Sequence, residues 1–370
     1  MSSGSWGTFL RRLALGCFLL ATSLLLFFTY FKEKVSFFSV EACRTAVCPE
    51  DAPTRDSNPN QFSVQQDQAP CQDADTVLLI WTWPFGLKFD LGCSAFNVTR
   101  CRLTDDRSLY HKAHGILFHH RDIPRNLAGF PREPRPCYQK WVWSNMESPA
   151  NSAPIAALDH LFNLTCSYRL DSDVPVPYGY LVPLTSEDER FKLPEKTQLV
   201  CWVVSNWNSR HRRVQFYQEL KKHVPVSAYG STFHRSLSDG EYVKVVSSCK
   251  FYLSFENSEA RDYITEKFYR PMMLGSVPVA LGPPRQNYED HVPADSFIHV
   301  DDFPSPKALA ERLLQLDQDA AEYTRFFNWT NRFRVHKSWF GKEHACKTCG
   351  YLQTNRGRHV TPHLNKWYWG

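Results

Sequence analysis

The chain has little excess of either charge and lacks several short catalytic motifs. Its 43 lysines and arginines exceed its 38 aspartates and glutamates by only five, and the cations are spread along the chain. A nucleic-acid-binding protein gathers its cations on one face, so that class is not indicated. There is no G-x-S-x-G, Walker loop or H-E-x-x-H, which argues against a hydrolase elbow, a P-loop kinase and a zincin. Internal repeats and sustained heptads are also missing.

One stretch, residues 13–31, lacks charge entirely. Its 19 residues, at about 1.5 Å each in a helix, cover roughly the hydrocarbon thickness of a bilayer. Arg11 and Arg12 precede it, whereas the charges after it nearly cancel, so the positive-inside bias places the rest of the chain in the lumen. A cleaved signal peptide is the alternative, but its apolar core would be shorter. We therefore expect a signal anchor of a single-pass type II membrane protein.

The residues after this anchor also fit a lumenal protein. Segment 32–75 is rich in Pro, Asn, Gln, Asp and Ser and predicts a stem. Three N-x-S/T sequons, at Asn97, Asn163 and Asn328, are candidate glycosylation sites. The 12 cysteines are expected mostly to pair in an oxidising lumen. Cys346-Lys-Thr-Cys349 lacks the surroundings of a zinc or thiol-redox site, which favours structural disulfides.

From Thr76 onward, apolar strands alternate with amphipathic helices. A chain of 370 residues with 43% hydrophobic and 22% charged residues is ordinary globular composition and long enough for about two domains. Continuous apolar runs predict strands in a mostly parallel sheet, at 76–83, 115–120, 140–146, 198–205, 226–230, 249–257, 277–282 and 296–303. Helices are predicted at 211–224, 263–274, where Pro271 should end or kink the helix, and 305–316. This order predicts two Rossmann-like units in tandem.

Ligands of open parallel sheets bind at the carboxyl ends of strands, which directs attention to Glu147. This residue follows a tryptophan-rich strand, where a carboxylate could act as a general base. The alternative is a surface glutamate that caps a turn, and the residues alone favour that alternative.

Two further strand ends carry cations. Lys267 lies in the first turn of a predicted helix, where a cation opposes the helix dipole unless an anion such as a diphosphate binds there. Arg213 follows the strand that ends at Ser205 and Asn206, and its guanidinium suits phosphate. A surface Glu-Lys pair and a solvated basic helix face are the respective alternatives.

Other polar motifs carry less information. Asp171-Ser-Asp173 is a D-x-D of the type that holds a metal–nucleotide complex in some transferases, but a turn suits it equally well. His119 and His120 have no partner at metal spacing, so core or hydrogen-bonding roles are favoured.

Ten motifs, in one order, resemble the animal α1,3-fucosyltransferases (GT10-like, Lewis-x-forming type). They are WTWPFG (81–86), HHRD (119–122), WVWSNMESP (141–149), YRLDSD (168–173), VPYG (176–179), VCWVVSNW (200–207), FYLSFENS (251–258), DYITEKFY (262–269), SVPVALGP (276–283) and PADSFIH (293–299). The chain also closes, as that type does, with Cys-x-x-Cys and a Trp-aromatic-Trp segment. The resemblance implies a two-lobed GT-B fold and an inverting transfer of L-fucose from GDP-fucose. The product is α1,3-linked to the N-acetylglucosamine of N-acetyllactosamine.

The resemblance also implies residue roles. Glu147 matches the general base, and Lys267 and Arg213 match cations that face the diphosphate. Donor-pocket positions are matched by Ser205, Asn206, Tyr178, Tyr252, Asn257, Tyr263 and Glu266. Arg121 and Trp83 match acceptor-side positions, with Arg121 standing where arginine accompanies type 2 acceptors. The implied disulfides are Cys201–Cys249, and Cys93 and Cys101 with Cys346 and Cys349.

No tightly bound cofactor and no required metal are implied; a divalent metal is at most stimulatory. The expected partners are GDP-fucose and lactosamine glycans on glycoproteins or glycolipids. A homodimer bridged by the stem cysteines Cys43, Cys48 and Cys71 is a hypothesis, and the expected location is the Golgi membrane with a lumenal catalytic part. Two alternatives remain open: a membrane-anchored glycan-binding protein without catalysis, and a metal-dependent GT-A transferase that uses Asp171 and Asp173.

The expected division of the chain has six parts: a cytoplasmic tail (1–12), a transmembrane anchor (13–31), a stem (32–75), an N-terminal acceptor-side Rossmann-like domain (76–195), a C-terminal GDP-fucose-binding Rossmann-like domain (196–340) and a tail that returns to the N-terminal domain (341–370). Leu170, Leu87 and Pro271 depart from the family pattern, and the pairing of Cys137 and Cys166 is left open.

Overall fold

The computed structural model describes residues 75–357 and 360–370. The predicted cytoplasmic tail, anchor and stem lie outside the described residues, apart from Asp75. Within the described part of the chain, no helix combines the length and the apolar character needed to cross a bilayer.

The first half of the chain forms a six-stranded parallel sheet in the order β2-β1-β3-β4-β5-β6. Its strands are β1 (Thr76–Ile80), β2 (Cys101–Thr104), β3 (Gly115–His119), β4 (Lys140–Asn145), β5 (Leu164–Ser167) and β6 (Val174–Pro175). Alternate residues face two separate apolar clusters, Trp141 and Trp143 in one and Val142 in the other. Both faces are therefore covered, which is why these strands are apolar at every position.

The second half forms a five-stranded parallel sheet in the order β12-β11-β10-β8-β9, while β7 and β13 make a separate antiparallel pair. These strands are β7 (Gly179–Pro183), β8 (Gln198–Val203), β9 (Val226–Tyr229), β10 (Cys249–Phe255), β11 (Val277–Leu281), β12 (Ile298–His299) and β13 (Phe333–Lys337). The described helices are α1 (Arg212–Leu220), α2 (Asp239–Ser248), α3 (Glu266–Met273), α4 (Arg285–Glu289), α5 (Pro306–Gln318), α6 (Ala320–Arg325), α7 (Lys342–Thr354) and α8 (Leu364–Trp369). The prediction of an α/β protein with parallel sheets is confirmed.

The strand orders also locate the ligand sites. Counted along the chain within each sheet, the first has the strand order 2-1-3-4-5-6 and the second 2-1-3-4-5, so the order reverses between the first and third strand of each. Ligands of doubly wound sheets bind at the carboxyl ends of the strands at such a switch point. The two switch points lie between β1 and β3 and between β8 and β10.

Several predicted elements differ from the observed ones in their ends, and two of the differences have a clear local cause. The strand expected at 296–303 is only β12, because the His299 ring accepts a hydrogen bond from the Asp301 N–H, and this turns the chain into a 3-10 helix. The helix expected from Tyr263 begins at Glu266, where Thr265 is the N-cap. Pro271 lies inside this helix, which ends two residues later at Met273.

Helix α2 was absent from the predicted elements although its start is encoded locally. Ser238 and Glu241 form a capping box, a spacing that is readable in the sequence. Leu170 and Leu87, the other departures from the family pattern, have exposed side chains.

Three disulfides hold the described chain together, and they are the pairs that the resemblance implied. Cys201–Cys249 joins the adjacent strands β8 and β10. Cys93–Cys346 and Cys101–Cys349 tie α7 to the N-terminal sheet, where α7 packs against β1 and β2. Cys166 lies buried in β5 and is not joined to another described cysteine.

Candidate active site

The carboxyl ends of the two parallel sheets face each other. Ser148 follows β4 and Ser258 follows β10, and their hydroxyl oxygens lie 2.6 Å apart. A second link joins the Leu170 N–H to the Asp262 carboxylate at 3.0 Å. Side chains at the strand ends of both lobes therefore share one cleft.

Glu147 lies on the N-terminal side of this cleft and is half-buried. Its N–H donates to Asn145 Oδ1 at 3.1 Å, and its carbonyl oxygen accepts a hydrogen bond from the Tyr368 hydroxyl. These bonds fix the backbone, whereas no described residue hydrogen-bonds its carboxylate. The carboxylate is therefore available to accept a proton from a ligand.

A cluster of tyrosines connects Glu147 to the other lobe. The Tyr263 ring lies 5.2 Å from the Tyr168 ring and 6.0 Å from the Tyr178 ring. Burial, followed by the charges of Glu256 and Glu147, raises the pKa of Tyr263. Because carboxylates of both lobes act on one phenol, Glu147 and Glu256 belong to the same electrostatic environment.

Lys267 is the first cation on the opposite side. Its Nζ lies 2.9 Å from Thr265 Oγ1, 3.0 Å from Glu266 Oε1 and 3.4 Å from Glu256 Oε2. Burial acts to lower the pKa of Lys267, but the charges of Glu256 and Glu266 outweigh it and raise this pKa. The ammonium group is therefore held positive at the start of α3, where a bound anion would also meet the positive end of the helix dipole.

Arg213 is the second cation and occupies the switch point between β8 and β10. Only 3% of the residue is exposed, and its guanidinium donates to the carbonyl oxygens of Asn206 and Phe255. Its Nε and the Oδ1 of Asn257 are buried with no hydrogen-bond partner among the described residues. Buried polar atoms are seldom left unpaired, so these two atoms indicate a place for a polar ligand. The adjacent Arg212 instead pairs with surface acids.

Sequence reasoning missed Glu256. This residue is 2% exposed, and its carboxylate accepts hydrogen bonds from the Thr265 N–H at 2.7 Å and from the Thr265 hydroxyl at 2.9 Å. Burial raises the pKa of Glu256, while the charge of Lys267 opposes the rise. The available signal was its position immediately after β10, within the same SFEN run as Asn257.

The other predicted donor residues lie at three different places around the cleft. Ser205 and Asn206 lie in the loop after β8, next to Arg213. The Tyr178 hydroxyl donates to the Met146 carbonyl, just before Glu147. Tyr252 lies deeper, because it packs in the apolar cluster around the Cys201–Cys249 disulfide.

The N-terminal switch point holds a cavity of about 460 Å³. It is lined by Trp81, which follows β1, by Arg121, which follows β3, and by Arg107. The Arg121 guanidinium donates to the carbonyl oxygen of Asn151, in the loop that begins at Glu147. Trp83 is placed apart from this cavity, with its Nε1 3.1 Å from Asp105 Oδ2.

The residues considered as metal ligands are engaged by protein groups. Asp171 pairs with Arg169 at 2.7 Å and with Arg261 at 3.1 Å, and Asp173 accepts from the Thr165 N–H at 2.8 Å. Among residues 75–357 and 360–370, no group of three or more His, Cys, Asp or Glu side chains is arranged to hold a metal ion. His120 hydrogen-bonds Ala153 and Trp143, as expected of a core histidine.

Two family models match the chain. "Fucosyltransferase, N-terminal" matches residues 73–179, and "Glycosyltransferase family 10 (fucosyltransferase) C-term" matches residues 193–367. The 4-galactosyl-N-acetylglucosaminide 3-alpha-L-fucosyltransferase 9 of Bos taurus is 44% identical over 100% of both chains. The enzyme of the same name from Homo sapiens is 48% identical over 80% of this chain and 82% of its own.

A solved structure described as alpha1,3-fucosyltransferase with GDP-fucose aligns at a TM-score of 0.48 and 15% identity, covering 81% of this chain and 96% of its own. The family assignment rests instead on the two family models and on the curated relatives. On those matches, the chain belongs to glycosyltransferase family 10, the fucosyltransferases.

Proposed function

We infer that this chain is a 4-galactosyl-N-acetylglucosaminide 3-alpha-L-fucosyltransferase. It transfers L-fucose from GDP-fucose in α1,3 linkage to the N-acetylglucosamine of N-acetyllactosamine glycans, giving Lewis x products. The observation that supports this proposal is the meeting of the two strand ends, where Glu147, whose carboxylate has no hydrogen-bond partner among the described residues, and Glu256, the partner of Lys267, both act on Tyr263. The names of the relatives support the same reaction.

The proposed mechanism is a single displacement with inversion. Glu147 takes the proton of the acceptor O3 hydroxyl as that oxygen attacks C1 of fucose. The bond between C1 and the β-phosphate oxygen breaks on the opposite face, and GDP leaves with the bonding electrons. Lys267 and Arg213 stabilise the charge that develops on the diphosphate, because both are positioned before the reaction begins.

We propose that the remaining donor residues shape the nucleotide and fucose pocket. Asn257 Oδ1, which has no hydrogen-bond partner among the described residues, accepts from a hydroxyl or N–H group of GDP-fucose, and Glu266 holds Lys267 in place through an ion pair. Ser205 and Asn206 supply the loop after β8, Tyr178 and Tyr263 line the cleft, and Tyr252 supports it from the deeper apolar cluster around the Cys201–Cys249 disulfide. The fixed cations can carry the leaving charge, so the proposal assigns no required metal, and a divalent ion at most stimulates the reaction.

On the acceptor side, we propose that the cavity between β1 and β3 receives part of the lactosamine. Arg121 lines this cavity and holds the loop after Glu147, so it can select type 2 acceptors while contacting the catalytic loop. Trp83, on the same edge of the sheet, is proposed to contact a more distant part of the glycan.

The cellular setting is also a proposal. The uncharged stretch 13–31 supports a type II anchor in the Golgi membrane, with the stem 32–75 leading to a lumenal catalytic part. We propose a GT-B arrangement of domains 76–195 and 196–340, with 341–370 returning to the first. Asn97 and Asn328 are exposed and suit glycosylation, whereas Asn163 is half-buried and its Oδ1 accepts from the Trp141 N–H. A homodimer through the stem cysteines completes the hypothesis.

The proposal is tested by transfer of radiolabelled fucose from GDP-fucose, with the full chain in microsomes and a panel of type 1 and type 2 disaccharides. We expect label on type 2 lactosamine and little on type 1. Labelling of neither disaccharide would support a glycan-binding protein without catalysis. Activity that disappears in EDTA and returns with manganese would support a metal-dependent transferase.

A further inference from the structure

The aromatic C-terminal segment, which the reaction above does not use, lies directly behind the loop of Glu147. The Tyr368 hydroxyl donates to the backbone carbonyl of Glu147, although the two residues are 221 positions apart. Tyr368 is 2% exposed, and its ring meets the edge of Trp143 on β4 at 4.8 Å. Burial raises the pKa of Tyr368, so the phenol keeps the proton that it donates.

The same helix also holds the far end of this loop. The indole Nε1 of Trp369 donates to the Ser152 carbonyl at 2.6 Å. Within the loop, the Ser152 hydroxyl donates to the Ser148 carbonyl at 3.2 Å and accepts from Asn145 Nδ2 at 3.0 Å. The segment between Glu147 and Ser152 is therefore clamped by α8 at both ends and cross-linked internally.

Helix α8 is itself positioned by contacts outside the cleft. A six-residue helix has little stability alone, so its place depends on tertiary contacts. The Asn365 N–H donates to Asp159 Oδ1 at 2.8 Å. The Arg169 guanidinium donates to the Trp367 carbonyl at 2.6 Å and stacks on the Trp367 ring, 4.3 Å from its centre.

We propose that Tyr368 is a positioning residue that fixes the catalytic carboxylate of Glu147 for proton transfer. This inference rests on the proposed role of Glu147. Within residues 75–357 and 360–370 no group hydrogen-bonds the side chain of Glu147, so the peptide that carries it sets where the carboxylate lies. A displacement of about 1 Å at a catalytic group can reduce a rate by about 100-fold.

The test is Tyr368→Phe, which removes one hydroxyl and leaves the ring in place. We expect kcat for transfer to lactosamine to fall by about 10- to 100-fold. The KM for GDP-fucose, the affinity for GDP and the slow hydrolysis of GDP-fucose without acceptor should stay within about twofold, because the Tyr368 hydroxyl hydrogen-bonds the Glu147 carbonyl and the Tyr168 hydroxyl and none of the proposed donor residues. A merely structural role would change donor binding and transfer together.

Thr361→Val is the matched control. The Thr361 hydroxyl donates to the Asn163 carbonyl at 3.2 Å, so this variant, like Tyr368→Phe, removes a hydroxyl through which the C-terminal segment hydrogen-bonds the N-terminal lobe. It does not reach the loop of Glu147, and its transfer rate should match the parent chain. Equal rates for Y368F and T361V, or parallel losses of GDP affinity and kcat in Y368F, would overturn the inference.

Two further variants keep the result interpretable. If Y368F does not fold, Trp369→Phe tests the second contact of α8 with the loop, the hydrogen bond from Trp369 to the Ser152 carbonyl. This variant should lower kcat and leave the KM for GDP-fucose unchanged. An unchanged kcat in W369F would overturn the inference. Glu147→Gln separates this inference from the proposed base. Normal transfer by E147Q would remove the base, and with it this role of Tyr368, whereas an inactive E147Q with a fully active Y368F would remove the positioning role alone.

Discussion

Glu147 and Glu256 are two carboxylates at the carboxyl ends of two similar parallel sheets, and their surroundings differ. Glu147 is half-buried, and no described residue hydrogen-bonds its carboxylate. Glu256 is buried and accepts a hydrogen bond from the N–H of Thr265, the N-cap residue of α3. One of its carboxylate oxygens lies 3.4 Å from Lys267 Nζ. Position at a strand end brings an acid to the cleft, but the hydrogen-bond partners decide whether its carboxylate is open to a ligand or is occupied by protein groups.

The largest expected effect is that of replacing Glu147, the acid whose carboxylate has no hydrogen-bond partner in the described part of the chain. Glu147→Gln keeps the size of the side chain and removes the base, so the kcat of fucose transfer should fall by roughly 10²- to 10⁴-fold. GDP affinity should not change, because the cations lie on the other lobe. Initial rates and GDP titrations on the same preparation check both expectations. Glu187→Gln, on an exposed loop, is the matched control and should transfer at the parent rate.

For Glu256, the buried acid, we expect substitution to affect the stability of the fold more than the binding of ligands. Glu256→Ala leaves the Thr265 N–H and the Lys267 ammonium without their carboxylate, so the free energy of unfolding should fall by about 3 kcal/mol. Glu147→Ala should change it by less than about 0.5 kcal/mol. Urea denaturation of both variants makes the comparison. Equal losses would mean that the two acids have the same structural role.

Donor binding is expected to depend on the cation beside Glu256. Lys267→Ala removes a charged hydrogen-bond donor, worth about 1.5–3 kcal/mol, so GDP affinity should weaken by about 10- to 100-fold. Isothermal titration with GDP measures this directly. Lys307→Ala changes an exposed lysine on α5 and should leave the affinity unaltered. Normal GDP affinity in K267A would remove Lys267 from the diphosphate site.

A third acid of the cleft, Asp262, extends the comparison to the pH dependence of stability. Burial acts to raise its pKa, but hydrogen bonds from His291 and Asn287, with the Leu170 N–H, lower the pKa of Asp262 to about 2. A carboxyl whose pKa is lowered in the folded state stabilises the fold above its ordinary value of 3.8, and this contribution is lost as the pH falls toward 2.

Asp262→Asn should therefore lower the free energy of unfolding at neutral pH by about 2 kcal/mol and flatten its dependence on pH below 4. Denaturant unfolding at several pH values provides the measurement. Asp295→Asn, at an exposed position, should reproduce the parent curve. An unchanged acid limb in D262N would show that another group controls the acid sensitivity.

The sequence predicted what local patterns encode. Runs such as TVLLI and KWVWSN are apolar at every position because both faces of their sheets are covered, so these strands and the parallel sheets were predictable. Ser305 was readable as the N-cap of α5. The shortening of β12 was not, because it depends on a side-chain bond of His299 to the backbone.

Predicting the site in full would have required tertiary contacts, which no local sequence pattern encodes. The motifs brought Glu147, Arg213 and Lys267 forward, and the structure places them at the facing ends of the two sheets. Glu256 was overlooked because its partner Thr265 is nine residues away across a loop. The bond between Tyr368 and the Glu147 carbonyl crosses most of the chain and could be found only in the folded protein.

The most direct test of the shared cleft is the distance between a Glu147 carboxylate oxygen and the acceptor O3 in a crystal structure with GDP and lactosamine bound. We expect about 2.6–3.2 Å, or one bridging water, with the diphosphate lying against Lys267 in the same complex. An acceptor O3 turned away from Glu147, beyond the reach of a single water while GDP is bound, would contradict the proposed chemistry.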